Sequence, residues 1–189
     1  AGLWILQQCR EQWKREGHDW SWDRLIALAE QAPEMVSVID TDADTFVAPS
    51  NMPAAIAEFC RHTGQPIPES EGAIVRCALE SLVLRYRLTL GLLEQVVGHP
   101  FSTIHMVGGG VQNRMLCQFT ADACARPVVA GPVEATALGN VMMQAIGSGR
   151  LNSVVEARRL IRSARDIQHY SPRNTGRWDE GLAKLKQMI

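Results

Sequence analysis

Met106-Val107-Gly108-Gly109-Gly110-Val111-Gln112-Asn113 runs from an apolar strand pattern through three glycines into an amphipathic helix. Glycine has no Cβ, so the backbone at Gly108, Gly109 and Gly110 can come within contact distance of a ligand. The helix that follows offers N–H groups without intrahelical partners and the positive end of its dipole, which suits a phosphate or the polar edge of a nucleotide. Gln112 and Asn113 add carboxamides that both donate and accept, as reading a ribose or a purine edge requires. The stretch reads as one wall of a nucleotide pocket. The competing reading is plainer: the glycines allow close strand-to-helix packing and Asn113 is a helix N-cap. Further on, Gly131-Pro132-Val133-Glu134-Ala135-Thr136-Ala137-Leu138-Gly139-Asn140 places Glu134 at the first turn of another helix, where dipole complementation alone accounts for a carboxylate.

These residues need elements to hold them, and hydrophobic spacing supplies the candidates. Leu3, Ile5, Leu6, Cys9 and Trp13 predict a first helix that stops at Gly17. Ser21 caps a second over Trp22 to Ala32, ended by Pro33. Val36 to Asp40 reads as a short strand or extended run leading into an acidic turn, and Pro53 opens a helix through His62 closed by Gly64. Ser70 to Val97 is the longest periodic stretch; Ile74, Leu79, Leu82, Val83, Tyr86, Leu90, Leu93 and Val97 predict a central buried helix. Strands are expected over Thr103–Val107 and Pro127–Ala130, with helices over Asn113–Ala125 and Glu134–Gly147. The small residues Ala135, Ala137, Gly139 and Ala145 of the latter permit close packing. Alternation of strand and helix predicts an α/β domain with a parallel pair at its centre. Helices from about Ser153 to Ser163 and from Asn174 to Met188 complete the chain, with no repeat or long linker between.

Composition narrows the field. The chain has 189 residues, 46% of them hydrophobic, and a formal net charge of -1; a general polyanion binder is not expected. The arginines between Arg150 and Arg177 are interleaved with Glu156, Asp166, Asp179 and Glu180 and lack an aromatic platform, so they read as a solvated helix face. No apolar run is long enough to cross a bilayer and the start has no signal-peptide pattern, so a cytoplasmic protein is expected. The chain opens at Ala1 and Gly2-Leu3-Trp4 enters at once on helix, as an excised piece of a longer protein would. Cys9, Cys60, Cys77, Cys117 and Cys124 form no CxxC pair and no metal spacing, so buried free thiols are expected. Cys60 and Cys77 flank the Pro66-Ile67-Pro68 loop and face each other if two antiparallel helices meet there. His18, His62, His99, His105 and His169 are scattered and given no catalytic role. Trp4 is placed to shape a pocket wall near Gln7, the other tryptophans packing in core or rim.

Gly108 to Gln118, then Ala121-Asp122, then Gly131 to Asn140, resemble the carboxy-terminal half of the FGGY carbohydrate kinases, most of all the members that act on L-rhamnulose. Gly2-Leu3-Trp4-Ile5-Leu6-Gln7 is similar to a helix in those enzymes with the same opening, and Tyr170 with Pro172 resembles their end region, so the likeness spans essentially the whole chain. The resemblance implies a ribonuclease-H-like, actin-like ATPase fold, with residues 1–189 forming the C-terminal nucleotide-binding lobe of a two-lobed sugar kinase. It implies that Gly108, Gly109 and Gly110 belong to the adenosine motif, with Gly109 against the adenine nucleotide. Asn113 would help hold the adenosine end, and Gln7 would belong to the ATP site. The helix from Glu134 to Gly147 would couple lobe closure, which excludes water, to nucleotide binding. ATP with Mg2+ is the implied cofactor, and the complete enzyme would phosphorylate L-rhamnulose at O1.

What the family has and this chain lacks is equally specific: the catalytic aspartate and both phosphate motifs. Asp19, Asp23, Asp40, Asp42, Asp44, Asp122, Asp166 and Asp179 fall in helices or acidic turns without the context of a catalytic base. No catalytic residue and no metal ligand is therefore assigned here. The chain alone is expected to be inactive, with the sugar reached through the absent N-terminal lobe. No nucleic-acid or membrane partner is expected, and a monomeric full enzyme is compatible with the sequence. Three alternatives stay open: another FGGY sugar kinase, a nucleotide-dependent regulatory module of the actin-like superfamily, or a structural or nucleic-acid-binding domain in which the glycines only pack.

Overall fold

The computed structural model describes residues 2–162 and 167–189. Asp166, and the Ser163 end of the helix expected from Ser153, lie outside the described residues. Helix α1 (Trp4–Arg15) buries Ile5, Leu6, Cys9 and Trp13. Helix α2 (Trp22–Gln31) starts where the Ser21 side chain accepts from Arg24 N–H, satisfying one of its open donors. Helix α3 (Met52–His62) starts in the same way on Asn51, which accepts from Ala54 N–H, and the chain leaves it through Gly64.

Val36 to Asp40 forms no strand. Gln65 takes the place of a neighbouring strand: its Oε1 accepts from Val38 N–H at 2.9 Å and its Nε2 donates to Val38 C=O at 2.8 Å. Ile39 N–H donates to Ser81 Oγ at 2.9 Å. The backbone polar groups of this apolar run are thus met by side chains, and burial of Val38 and Ile39 proceeds without a sheet.

Helix α4 (Glu71–Val97) is capped by Ser70 and ends at Gly98 in the left-handed conformation. Its N-terminal half is the axis of the core, buried at Gly72 and from Ile74 through Leu84. The expectation of burial along its whole length fails beyond that point: Leu93 and Val97 are about half exposed and Val96 is 87% exposed. Contact with α2 is closest at Gly72, where an added Cβ would lie 2.6 Å from Leu28 O and 2.7 Å from Leu28 C. Those are backbone atoms and cannot step aside, so Gly72→Ala should push the two helices apart and cost about 1–3 kcal/mol. A urea midpoint unchanged from the parent would show that this crossing has slack.

Strand β1 (Ile104–Met106) pairs in parallel with β2 (Val128–Ala130), with His105 opposite Val129, as the strand and helix alternation requires. Between them the chain makes a 3-10 turn over Gly109–Gln112 and helix α5 (Arg114–Cys124). Helix α6 (Ala135–Gly147) and helix α7 (Val154–Arg162) follow β2. Contrary to the close packing expected from its small residues, α6 has no buried residue. Among the described residues, nothing packs over it closely enough to bury a side chain.

Strand β3 (Gln168–Tyr170) adds antiparallel to β2, giving the order β1-β2-β3. It was not foreseen, because Gln168-His169-Tyr170 carries no apolar alternation. Asp122, buried in α5, accepts from Gln118 Nε2 and from Arg173 N–H at 2.7 Å, and so ties the segment after β3 to the helix. Helix α8 (Arg177–Lys186) then buries Trp178 edge-on against Phe119, with the indole N–H donating to Asn174 C=O.

All five cysteines are buried free thiols. Cys60 and Cys77 do face each other: a hydrogen bond from Cys77 pulls the Cys60 thiol down, while the same contact and burial push Cys77 up.

Candidate functional site

Gly108 has φ +84, a left-handed backbone that side-chain-bearing residues rarely adopt, and this turns the chain out of β1. Its N–H donates to Pro132 C=O and its carbonyl accepts from Val111 N–H. Gly108 therefore serves the turn and is not among the residues lining the cleft described below. At Gly110 an added Cβ would lie 3.2 Å from Leu3 Cδ1, so this glycine lets the turn pack on the start of α1. Gly109 differs from both: its φ is ordinary and an added Cβ meets nothing within 4 Å. Its backbone faces open space.

That space is a cleft of about 510 Å³. Gln7 comes to it from α1, Trp22, Asp23 and Ile26 from the first turns of α2, and Gly109, Gly110, Gln112 and Asn113 from the glycine turn. Leu3 and Leu6 complete an apolar floor. Four of the five residues expected from sequence, Gln7, Gly109, Gly110 and Asn113, thus meet in one place.

Asn113 shows that its two readings are compatible. Its Oδ1 accepts from Leu116 N–H at 3.0 Å and caps α5, while the residue also borders the cleft. Capping uses the oxygen and leaves the amide protons for another partner. The N-terminal turns of α2 and α5 both border the cleft, which favours negative charge beside it.

Trp22, Asp23 and Ile26 were missed from sequence. The indole at this cleft is Trp22, 40% exposed with the Arg10 guanidinium 5.2 Å from its ring centre. Trp4 instead lines a separate hollow with Phe46 and Val47. The usable signal was a large aromatic directly after an N-cap serine, on the helix that follows α1. Glu134 sits at the N-cap position of α6 without a side-chain capping bond and does not line the cleft.

A larger cleft of about 720 Å³, walled by α4, α5 and β1, shares only Leu3 and Gly110 with the first. It gathers none of Gln7, Gly109 or Asn113. Among the described residues no group of three or more His, Cys, Asp or Glu side chains could hold a metal ion. No described helix is long and apolar enough to cross a membrane.

The same layout occurs in solved structures. That of xylulose kinase from Rhodospirillum rubrum superposes with a TM-score of 0.67 at 19% identity, over 100% of this chain and 37% of that one. Glycerol kinase from Plasmodium falciparum with ADP gives 0.63 at 16% identity, over 93% of this chain and 34% of that one. The fold is the C-terminal lobe of the ribonuclease-H-like, actin-like ATPase architecture. Residues 1–148 match the C-terminal domain of the FGGY family of carbohydrate kinases, and the chain belongs to that family. A curated relative, rhamnulokinase from Bacteroides thetaiotaomicron, is 44% identical over 189 residues, 100% of this chain. The chain spans 38% of that relative's length.

Proposed function

We propose that residues 1–189 form the nucleotide-binding lobe of an ATP-dependent sugar kinase, and that the 510 Å³ cleft receives the adenosine end of ATP. The observation that carries this reading is the meeting of Gln7, Gly109, Gly110 and Asn113 around open space, with the Gly109 backbone bare. An adenine ring fits a slot with an apolar floor, an indole at its border and carboxamides at its rim. Mg2+ would enter with the nucleotide; the described residues supply no metal cage of their own.

The curated relatives are named rhamnulokinase, which supports rhamnulose as the substrate; the complete enzyme would phosphorylate L-rhamnulose at O1 to L-rhamnulose 1-phosphate, as a cytoplasmic step of L-rhamnose breakdown. This chain would hold and orient the nucleotide and, by closing on a second lobe, keep water from the phosphoryl group. The proton acceptor and the sugar contacts lie outside it. The 189-residue chain alone is therefore expected to transfer no phosphoryl group to L-rhamnulose, and steady turnover by the purified chain would overturn that division of labour.

An ADP titration of isotope-labelled protein by NMR tests the reading. Shifts gathered on Gly109, Asn113 and Gln7 are expected. Their absence at millimolar ADP, or shifts gathered elsewhere, would count against it.

A further inference from the structure

Arg114 and Arg173 line one hollow of about 590 Å³, which shares no residue with either cleft described above. Arg114 opens α5, whereas Arg173 follows β3 outside any helix and so leaves the solvated helix face expected of it from sequence. The fold fixes the second beside the first. Arg173 N–H donates to the buried Asp122 carboxylate at 2.7 Å, and Gln118 Nε2 donates to that carboxylate and to Ser171 C=O, each at 2.9 Å. The chain that carries Arg173 is thereby tied to α5. Neither the Arg114 nor the Arg173 guanidinium has an ion pair or a hydrogen bond among the described residues.

Other charges at the hollow are already matched. Arg76, 4% exposed, donates to Glu80, Glu34 and Ala29 C=O. Glu34 lies between Arg76 and Arg177, and the hydrogen bond from Arg177 holds its carboxyl below the ordinary value. Glu30 is then the one further acid among the described lining residues. Two unpaired guanidiniums gathered in one place repel each other, and their planar forks match the oxygens of a phosphate. The volume exceeds what a bare phosphate fills, and the rest of the wall is equipped for hydroxyl groups. The Tyr170 hydroxyl has no hydrogen-bond partner among the described residues; burial raises it above its ordinary value and the Arg114 cation pulls it down, so the two lie within electrostatic reach. Gln118 keeps its Oε1 open, and the exposed Glu30 carboxylate pairs with no cation among the described residues. A carboxylate at the wall opposes a polyanion but accepts from the hydroxyls of a sugar.

We propose that this hollow binds a sugar phosphate monoester. Arg114 and Arg173 hold the phosphate, and Glu30, Gln118 and Tyr170 take the hydroxyls of the sugar. The nucleotide cleft supplies none of these residues, so this inference stands or falls apart from the functional reading.

Fructose 1-phosphate, titrated by NMR into the isotope-labelled 189-residue chain, tests it, with inorganic phosphate and fructose as separate arms. Shifts gathered on Arg114, Gln118, Tyr170 and Arg173 are expected, with fructose 1-phosphate held more tightly than inorganic phosphate and fructose giving none. An excess of ADP should leave them in place. Arg114→Gln and Arg173→Gln should each weaken binding about tenfold. Both should leave the melting temperature of the free protein unchanged, since neither side chain has a partner to lose. Absence of shifts at millimolar fructose 1-phosphate, binding no tighter than that of inorganic phosphate, or unaltered affinity in either variant overturns the proposal. So does displacement by ADP, because the hollow would then belong to the nucleotide.

Discussion

Gly109→Asp is expected to weaken ADP binding about a hundredfold while leaving the protein folded. The two halves of this expectation come from the same geometry. An added Cβ at Gly109 meets nothing within 4 Å, and the backbone there has an ordinary φ, so the substitution strains neither packing nor chain. The space it enters is the proposed nucleotide site, where a carboxylate would lie close to a polyanion; like-charge juxtaposition costs several kcal/mol, and about 1.4 kcal/mol is a factor of ten. Gly109→Ala, which fills less space and adds no charge, should fall between the variant and the parent. Gly110→Ala is a poor substitute, because its Cβ would press on Leu3 and disturb the turn itself. Calorimetric titration with ADP, alongside a thermal melt for folding, decides the matter: unaltered affinity in a folded Gly109→Asp protein would remove the cleft from consideration.

Arg76→Met is expected to destabilise the fold by about 3–5 kcal/mol, because it strands a charge in the core. Arg76 is 4% exposed and Glu80 1%. The guanidinium donates to Glu80 at 2.8 Å, to Glu34 at 2.9 Å and to Ala29 C=O at 3.1 Å, with its face 5.4 Å from the Phe119 ring centre. Burial raises the Glu80 carboxyl above its ordinary value, against the opposing pull of Arg76 and of Met35 N–H. Removing Arg76 leaves burial less opposed, so the folded-state value rises further above the unfolded one. A carboxyl raised on folding loses stability as pH climbs from its unfolded value through its folded value. The deficit of Arg76→Met should therefore be smaller near pH 4.5 than at pH 7. Denaturation series at both pH values check the sign, and a deficit that grows on acidification would refute it. Adding Glu80→Met should recover much of the loss, since a buried ion pair replaced by apolar groups is often close to neutral.

Much of this structure could be read from residue order. Ser21 stood ahead of an apolar periodicity and caps the helix it announced, and the stretch that opened at Ser70 is a helix capped by that residue; the Asn51 cap of α3 was not read, Pro53 having marked that start. The parallel strand pair was legible because its strands are apolar runs divided by a helix. What was not legible depends on neighbours. Gln168-His169-Tyr170 becomes a strand because β2 offers it a ladder, not because of its own pattern. The far half of α4 and the whole of α6 carry apolar residues suited to burial, yet periodicity says only that a face wants covering. At the cleft, glycine and carboxamide types pointed to Gln7, Gly109, Gly110 and Asn113. Gly108 looked equivalent in sequence and differs only in its φ. Trp22 and Trp4 are both tryptophans at the start of a helix, and only the tertiary placement of α2 puts the first at the cleft.

Gln65 has a wider consequence. Val36-Ser37-Val38-Ile39 is the kind of short, uncharged, β-prone run that recruits identical runs from other molecules once its backbone is bare. A single carboxamide, itself shaped like a peptide group, occupies both hydrogen-bonding positions of Val38 from within the molecule. With Val38 and Ile39 also buried, the run offers no bare backbone at Val38 for another molecule to pair with while the fold holds.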